Sequence, residues 1–164
     1  MGLFSAVNAD AVLLNRLDAN EILGTCSKHG FELEERVWLS AEHYYQASKY
    51  QGALRDKIRQ CDNPEQARKL GRSIWRRKRS DWKKVRDVIM TRAMYCKCKA
   101  HGEVEAALLD TEDRPLANNA YGEYYWGIGR DGRGQNRFGK ILQNVRNKLR
   151  EEKLLEERKL AGGD

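Results

Sequence analysis

The segment Ala41-Glu42-His43-Tyr44-Tyr45-Gln46-Ala47-Ser48-Lys49 is predicted to form a short helix with an acid, an amide and an amine on one side. At about 100° per residue, Glu42, Tyr45, Gln46 and Lys49 fall at i, i+3, i+4 and i+7 and share a face. That face is either solvated or lines a polar pocket, and periodicity alone does not decide between them. His43 points away from Glu42 and is predicted to make structural hydrogen bonds.

The sequence around this segment predicts a helix-rich chain. Alternating apolar and charged residues over 31–38 indicate a half-buried strand or the second arm of a hairpin. Asn63-Pro64-Glu65-Gln66 is typical of a helix start, because Asn can cap, Pro suits the first position and Gln66 can close a capping box. The predicted helices are residues 42 to about 52, 63–71, 81–100 and 103–109.

The C-terminal part combines turns with a long helix. Residues 118–122 are turn-like, and residues 124–126 are predicted to form a brief strand. Phe138, Ile141, Leu142, Val145 and Leu149 then follow at helical spacing. The predicted fold class is mainly α with a minor β component (α+β), as a single compact domain over residues 1–150. Residues 151–164 are predicted to be a charged, solvated helical tail that frays.

Length and composition limit the class of protein. At 164 residues, the chain is long enough for one domain to bury a core. No apolar run approaches the roughly 18 residues of a spanning helix, and the first residues lack the basic start and apolar stretch of a secretory signal. The expectation is a cytoplasmic protein that does not contact a membrane. The sequence leaves its oligomeric state open.

Four cysteines without a signal peptide favour reduced thiols. Cys26-x-x-His29 and Cys96-x-Cys98-x-x-His101 together contain enough ligands for a tetrahedral zinc site. However, Cys96 and Cys98 lie two positions apart in a predicted helix and point away from each other. Small buried hydrophobic side chains are the favoured interpretation, and no metal or cofactor is predicted.

Positive charge is concentrated in one stretch of a chain whose formal net charge is +7. From Arg72 to Lys99 there are eleven Lys and Arg residues against two acidic residues. Such a block indicates an anionic partner, either a phosphate-bearing small molecule or a nucleic-acid backbone. Trp75 and Trp82 are interleaved with these cations, a mixture typical of nucleic-acid grooves. The alternative is a solvated helix face.

Gly127-Ile128-Gly129-Arg130-Asp131-Gly132-Arg133-Gly134 is a glycine-rich loop. Its spacing matches the dinucleotide-binding fingerprint in letters, but no strand–helix–strand series surrounds it and no helix opens at the third glycine. The favoured hypothesis is that its backbone amides approach an anion, while Arg130, Arg133 and Arg137 add charge. The alternative is a tight surface turn.

Two separated blocks of sequence carry a family resemblance. The first is Trp38-x-x-x-Glu42-His43-Tyr44-Tyr45-Gln46-Ala47-x-Lys49, and the second is Tyr125-Trp126-Gly127-Ile128-Gly129-x-x-Gly132-x-Gly134-x-Asn136-Arg137-x-Gly139. Together they resemble the NADAR or YbiA-like family. The likeness extends over roughly residues 30 to 150, and residues 1–30 match it poorly.

The resemblance implies N-glycosidase activity. Some members resemble enzymes that cleave phosphoribosylamino-pyrimidine intermediates of riboflavin synthesis, and others remove ADP-ribose attached to guanine in nucleic acid. The expected partner is therefore a ribosylated nucleobase, either ADP-ribosylated nucleic acid or a phosphoribosyl metabolite. Hydrolysis of a ribose C1–N bond needs protonation of the leaving amine, and Glu42 is the expected acid. Lys49 is expected to attack a ring-opened sugar and form a Schiff base, if burial deprotonates it.

Other residues of these blocks are expected to bind the substrate. Trp126 is expected to stack on the base or ribose, and Asn136 to bind hydroxyl groups. Arg130, Arg133 and Arg137 are expected to hold phosphate. The full expected set is Trp38, Tyr45, Gln46, Asn118, Glu123, Trp126, Gly127, Gly129, Arg130, Arg133, Asn136 and Arg137.

The chain departs from the family pattern at four places. Gly24-Thr25-Cys26 stands where the family usually has Ser-Asn-Phe, and Leu39 stands where it has Pro. Asn118 takes the place of a Glu, and Glu123 takes the place of an Asp whose carboxylate it is expected to supply. The rival hypothesis is therefore a nucleic-acid or ADP-ribose binding module without catalysis.

Overall fold

The computed structural model describes residues 10–162. Residues 1–9 and 163–164, at the ends of the predicted domain and tail, lie outside the described residues. Within the described part of the chain, no helix is both long enough and apolar enough to cross a membrane. The elements in chain order are β1 (Val12–Leu14), β2 (Phe31–Leu33), β3 (Arg36–Trp38), α1 (Ala41–Ala47), α2 (Ala53–Arg59), α3 (Pro64–Gly71), α4 (Trp82–Ala100), α5 (Gly102–Leu109), β4 (Leu116–Asn118) and α6 (Arg137–Ala161).

The predicted α+β class with a minor β component is confirmed, but its strands differ from the predicted ones. Residues 31–38 form a complete hairpin in which β2 and β3 pair antiparallel, with Phe31 opposite Trp38. Glu34 and Glu35 make the turn with φ angles of 56° and 58°. Turn positions with positive φ are usually occupied by Gly, Asn or Asp. The two glutamates at these positions therefore gave no sequence signal for a turn.

A short pair of parallel strands connects segments that lie about 100 residues apart in the sequence. β1 pairs with β4, placing Val12 beside Leu116 and Leu14 beside Asn118. Neither strand was predicted. The strand predicted over residues 124–126 is wrong, because the carbonyl groups of this segment accept hydrogen bonds from the amides of residues 135, 137 and 138 at the start of α6.

Helix α1 lies at the centre of the fold. All seven of its residues are buried, and it packs against α2, α3 and α4. The Ser40 hydroxyl accepts from the His43 amide and caps its first turn. The helix ends at Ala47, earlier than predicted, and α2 begins after Gly52, which has a φ of 63°. Because α1 is surrounded on all sides, even its polar side chains lie inside the protein.

The other helices follow their sequence signals closely. Asn63 Oδ1 accepts from the Gln66 amide at 2.9 Å, and α3 ends at Gly71 as predicted. The Gln66 side chain accepts from the Asp62 amide instead of closing the predicted capping box. Helices α4 and α5 begin one residue away from their predicted starts. Helix α6 continues unbroken past residue 150 and ends at Ala161.

The cysteine and histidine side chains serve structural roles. Cys26 and Cys98 are buried thiols, and Cys61 and Cys96 are half-buried. Among residues 10–162, no three His, Cys, Asp or Glu side chains form a group that could hold a metal ion. His43 contacts Ser40 Oγ at 2.8 Å and the Cys61 carbonyl at 3.0 Å, as expected for a structural hydrogen-bonding residue.

A buried lysine of α4 holds the loop that precedes the β2–β3 hairpin. The Lys97 ammonium donates to the Ile22 and Gly24 carbonyls at 2.7 Å each and to Ser27 Oγ at 2.6 Å. Burial lowers the pKa of this amine to about 8. All three acceptors are neutral groups of one loop, so we assign Lys97 as a tether for the loop that contains Thr25.

Replacement of Lys97 by methionine is expected to lower the free energy of unfolding by about 2 kcal/mol. Each buried polar group left without a partner costs about 1–3 kcal/mol, and this loss outweighs the relief from burying a cation. Urea unfolding followed by circular dichroism measures the change. Lys99→Met is the matched control, since Lys99 lies two residues away on the exposed face. Equal stability of the two variants would contradict the tether.

Candidate active site

Helix α1 and the turn after it carry the polar side chains of the candidate site. Glu42, Gln46 and Lys49 are only 0, 2 and 5 % exposed. The Gln46 amide nitrogen donates to Oε1 of Glu42 at 2.7 Å, and its amide oxygen accepts from the Lys49 ammonium at 2.5 Å. The solvated alternative for this face is therefore wrong. Gln46 links the acid and the amine.

A second cation, Arg16, joins Glu42 to Glu123. Arg16 follows β1 and is 2 % exposed. Its Nη1 donates to Oε2 of Glu42 at 2.9 Å, while Nε and Nη2 donate to the two oxygens of Glu123 at 2.7 and 2.5 Å. Thr25 Oγ1 also donates to Oε2 of Glu42 at 2.6 Å. The bidentate pair with Glu123 fixes the guanidinium plane, and Arg16 thereby fixes Glu42.

The Glu42 carboxyl is held in its ionised form. Burial alone would raise its pKa, but the Arg16 guanidinium and the hydrogen bonds from Thr25 and Gln46 outweigh burial and bring the pKa below its ordinary value. Such a carboxylate carries no proton near neutral pH. Glu42 is therefore unsuited to the proton-donor role predicted from the sequence, and its environment suits a fixed negative charge.

The pKa of the Lys49 amine lies close to neutral pH. Burial lowers its pKa, the negative charge of Glu42 opposes this, and neighbouring cations lower the pKa further, to about 7. Nζ lies 5.1 Å from the ring centre of Tyr45 and 5.8 Å from that of Trp82, and it donates to the Gly71 carbonyl at 3.3 Å. This pKa allows the free amine, with its lone pair, to be populated near neutral pH.

A cleft of about 520 Å³ opens over these groups. Its volume falls in the range of small-molecule sites. The cleft is lined by Arg16, Tyr45, Gln46, Lys49, Arg68, Arg72, Lys78, Trp82, Arg86, Tyr121, Gly122, Glu123 and Trp126. Six of these are Lys or Arg against a single carboxylate, so the cleft favours an anionic ligand.

Five residues named from the sequence line this cleft, namely Tyr45, Gln46, Lys49, Glu123 and Trp126. The Trp126 ring packs edge-on against Tyr45, with the ring centres 5.5 Å apart, and is 7 % exposed. Only a small part of the indole therefore reaches the cleft. Stacking of Trp126 on a base or ribose stays a prediction.

Three other expected substrate-binding residues are assigned structural roles instead. Trp38 is fully buried, and its Nε1 donates to a carbonyl of β2 at 3.0 Å. Asn118 is fully buried in β4, and its side-chain amide donates to Glu123 at 3.0 Å. Asn136 has a φ of 48°, and its side chain joins a β4 carbonyl at 2.8 Å to the Asn118 amide at 3.0 Å. Their polar groups are satisfied inside the protein.

The glycine-rich loop closes on itself. The backbone amides of Ile128, Gly129 and Gly134 donate to carbonyl oxygens within residues 118–128 at 2.7 to 3.0 Å. A Cβ at Gly127 would strike a neighbouring backbone oxygen, so this glycine permits close packing. The predicted cradle of backbone amides for an anion is corrected accordingly, because these amides already have partners.

The three arginines of this region lie outside the cleft lining. The Arg130 guanidinium stacks over the Tyr121 ring at 4.3 Å, and Arg133 lies at the surface, 3.8 Å from an acidic side chain of its own loop. Arg137 Nε donates to Asp87 at 2.9 Å. The cations that line the cleft beside Arg16 and Lys49 come instead from α3, α4 and the loop between these helices.

Several residues of the cleft and its floor were missed at the level of sequence. Arg68 of α3 was not singled out, although it lies four residues before Arg72, the first cation of the predicted basic block, and this spacing is a signal for a shared face. Arg16 and Thr25 carry no comparable signal. Their place beside Glu42 depends on the β1–β4 pairing and on the loop that Lys97 holds.

Comparison with known proteins gives consistent matches. A family model described as NADAR domain matches residues 4–150. The chain is 37% identical over 128 residues to an N-glycosidase from Nostoc punctiforme, which covers 76% of this chain and 82% of that protein. It is 33% identical over 123 residues to N-glycosidase YbiA of Escherichia coli, which covers 74% of this chain and 77% of that protein.

Similarity extends to structure and to one larger protein. The solved structure of E. coli YbiA matches this fold with a TM-score of 0.79 at 28% sequence identity, covering 92% of this chain and 95% of that chain. A riboflavin biosynthesis protein from Vibrio vulnificus is 35% identical over 115 residues, which covers 70% of this chain and 31% of that protein.

Proposed function

The chain belongs to the NADAR domain family, and on this premise we propose that it is an N-glycosidase that hydrolyses the bond between ribose C1 and an amine nitrogen. Relatives named N-glycosidase match most of the chain, which supports this class of reaction. The observation that carries the proposal is the buried Lys49 amine, whose pKa is about 7, at the floor of a cationic cleft. An amine in that state can act as a nucleophile at neutral pH.

Lys49 attacks C1 of the opened sugar in the proposed reaction. The lone pair of the base nitrogen expels the ring oxygen, which takes up a proton, and an iminium forms between C1 and that nitrogen. The free Lys49 amine adds to C1, the base nitrogen gains a proton and departs as an amine, and Lys49 stays joined to C1 as an imine. Water then adds to C1 and releases the sugar aldehyde. Substrate and water are converted to base and sugar, with no other reactant consumed.

Proton transfer and charge stabilisation are divided between two residues. The free amine of Lys49 is the reacting form, populated near a pKa of about 7; solvent supplies the proton for ring opening, and the Lys49 nitrogen, positively charged once it has added to C1, passes its proton to the base nitrogen. Glu42 contributes a fixed negative charge that stabilises the cationic iminium. Arg16 and Gln46 hold the carboxylate in place with hydrogen bonds of 2.9 and 2.7 Å.

The finer proposal concerns the phosphate groups of the substrate. ADP-ribosylated guanine in nucleic acid and phosphoribosylamino-pyrimidines of riboflavin synthesis both carry phosphate close to the ribose. The cleft offers cations on α3, α4 and the connecting loop for these groups. The riboflavin biosynthesis relative supports the phosphoribosylamino-pyrimidine as the substrate. The basic sequence outside the cleft supports ADP-ribosylated guanine in nucleic acid.

Removal of positive charge from α3 or from Arg72, which follows it, is expected to weaken substrate binding. Arg68→Gln and Arg72→Gln should each raise KM by about tenfold or more with little change in kcat, because a hydrogen bond to a charged group contributes about 1.5–3 kcal/mol. Steady-state kinetics measure both parameters. Lys69→Gln removes a neighbouring α3 charge outside the cleft lining and serves as the control. An equal rise in KM for Lys69→Gln would contradict this prediction, because it would mean that the overall positive charge of this region, and not the two cleft-lining arginines, attracts the substrate.

Product analysis tests the function itself. The protein is incubated separately with an oligonucleotide carrying ADP-ribosylated guanosine and with the phosphoribosylamino-pyrimidine, and the products are separated by liquid chromatography and mass spectrometry. Release of the intact base amine from either substrate supports the proposal. Tight binding of both substrates without release would instead favour the non-catalytic binding module.

A further inference from the structure

The loop between α3 and α4 exposes two large apolar side chains. Ile74 and Trp75 are neighbours in the chain and are 88 and 91 % exposed. Single exposed apolar side chains are ordinary at a protein surface. An isoleucine and a tryptophan side by side, both almost fully in water, form an apolar tip on an otherwise charged segment. Trp82, which the sequence grouped with Trp75, is buried in the cleft wall and does not extend this tip.

Cations surround the tip on both sides. Residues 72–81, hereafter the basic loop, contain Arg72, Arg76, Arg77, Lys78 and Arg79. Within residues 10–162, only Arg79 among them is paired with a carboxylate, that of Asp81. The remaining positive charges are left to face solvent or a ligand. Lys97, which the sequence placed in the same basic block, is fully buried and does not belong to this charged surface.

The basic loop is continuous with the candidate site. Arg72 and Lys78 line the cleft, and Lys78 also lines an adjoining depression together with Arg77 and Arg79. The Arg79 amide donates to the Lys49 carbonyl at 2.9 Å, so the end of the loop is attached to the backbone of the proposed nucleophile. A ligand that extends out of the cleft on this side must pass over the loop.

We propose that the basic loop binds single-stranded nucleic acid next to the ribosylated nucleotide, with Trp75 stacking on an unpaired base. This inference rests on the proposed function and selects the polynucleotide substrate over the free metabolite. A metabolite ends within the cleft and has no use for charge and an aromatic face outside it. A strand supplies a phosphate for each neighbouring cation and a base for the indole. Unpaired bases are required because stacking on Trp75 needs a free base face.

Binding of unmodified strands tests the surface without requiring catalysis. Fluorescence anisotropy with labelled 12-residue single-stranded DNA and RNA is measured for the wild type, Trp75→Ala and the double variant Arg76→Gln/Arg77→Gln. Loss of one stacked base should weaken binding about tenfold. Loss of two phosphate contacts should reduce the slope of log Kd against log salt by about 1.4. None of the three residues lines the cleft, and Trp75 is too exposed for its loss to unfold the protein.

Two matched controls locate the effect. Leu160→Ala removes another exposed apolar side chain, and Arg158→Gln/Lys159→Gln removes two charges from the end of α6. Both controls should bind strands as the wild type does. Equal weakening in the control and loop variants would overturn the proposal, because it would mean non-specific charge attraction.

Turnover of two substrate forms gives the second readout. Trp75→Ala should raise KM for an oligonucleotide that carries ADP-ribosylated guanosine and leave hydrolysis of the isolated ribosylated nucleoside unchanged. Unchanged strand binding in the loop variants overturns the proposal, and so does Trp75-dependent binding confined to phosphatidylserine vesicles. A protein that binds strands through Trp75 but releases no base from either substrate would contradict the proposed function while supporting the surface.

Discussion

Replacement of Lys49 by arginine is expected to reduce turnover by roughly three orders of magnitude or more, as for removal of a covalent nucleophile. Arginine keeps the positive charge but cannot lose its proton near neutral pH, so it cannot form the imine. Lys78→Arg is the matched control, because Lys78 lines the same cleft and has no covalent role in the proposed reaction. Lys78→Arg should therefore keep most of its turnover. Steady-state kinetics measure the turnover of both variants.

Chemical trapping tests the covalent role of Lys49 by a measurement that does not depend on the turnover rate. Borohydride added during turnover should reduce the imine and leave a stable sugar adduct that peptide mass spectrometry assigns to Lys49. The adduct should persist in Lys78→Arg and be absent from Lys49→Arg. Brisk turnover by Lys49→Arg, or a wild type that never gives the adduct, would favour direct attack of water on C1.

The pH profile follows from the lowered pKa of Lys49. Below pH 7 the amine is mostly protonated and lacks a lone pair, so kcat/KM for the wild type should rise with pH and level off above about 7. This rising limb reports the amine itself. The pH at the midpoint of this limb in the wild type is the reference for the Glu42→Gln variant.

Replacement of Glu42 by glutamine is expected to reduce turnover by about 100-fold or more, because a fixed charge next to the developing cation is lost. The limb of the pH profile should also move to lower pH. The Glu42 charge raises the pKa of Lys49, so a neutral side chain at this position lets the amine deprotonate more easily. Shape is nearly preserved, which separates this effect from unfolding.

The shift of the limb distinguishes charge from scaffolding. A residue with a purely structural role would change the melting temperature and leave the limb in place. Glu103→Gln on the exposed surface of α5 controls for a change in overall charge. Wild-type turnover in Glu42→Gln, or an unmoved limb, would remove Glu42 from the proposed mechanism.

Sequence signals were sufficient where structure depends on neighbouring residues. The Asn63 cap with Pro64 placed α3, and apolar spacing placed α4, because both signals act within one or two turns. The spacing of Glu42, Gln46 and Lys49 likewise brought the central polar groups together. Each of these features is determined within a short stretch of chain.

Long-range contacts could not be predicted in the same way. Arg16 reaches Glu123 across a sequence separation of 107 residues, and no local pattern encodes that contact. The roles of Asn118 and Asn136 were misjudged for the same reason, since the Asn118 amide pairs with Glu123 and the Asn136 amide pairs with the backbone of strand β4. The protonation state of Glu42 depends on Arg16, so its predicted role changed with that contact.

The clamp formed by Arg16 has a consequence for the protein during its synthesis. Glu42 is translated about 80 residues before Glu123, so the second carboxylate of the clamp is still missing when α1 is complete. Until β4 pairs with β1, Lys49 lacks the surroundings that it has in the folded protein. We therefore expect the amine to acquire its lowered pKa, and its reactivity toward sugar aldehydes, only as the domain closes around it.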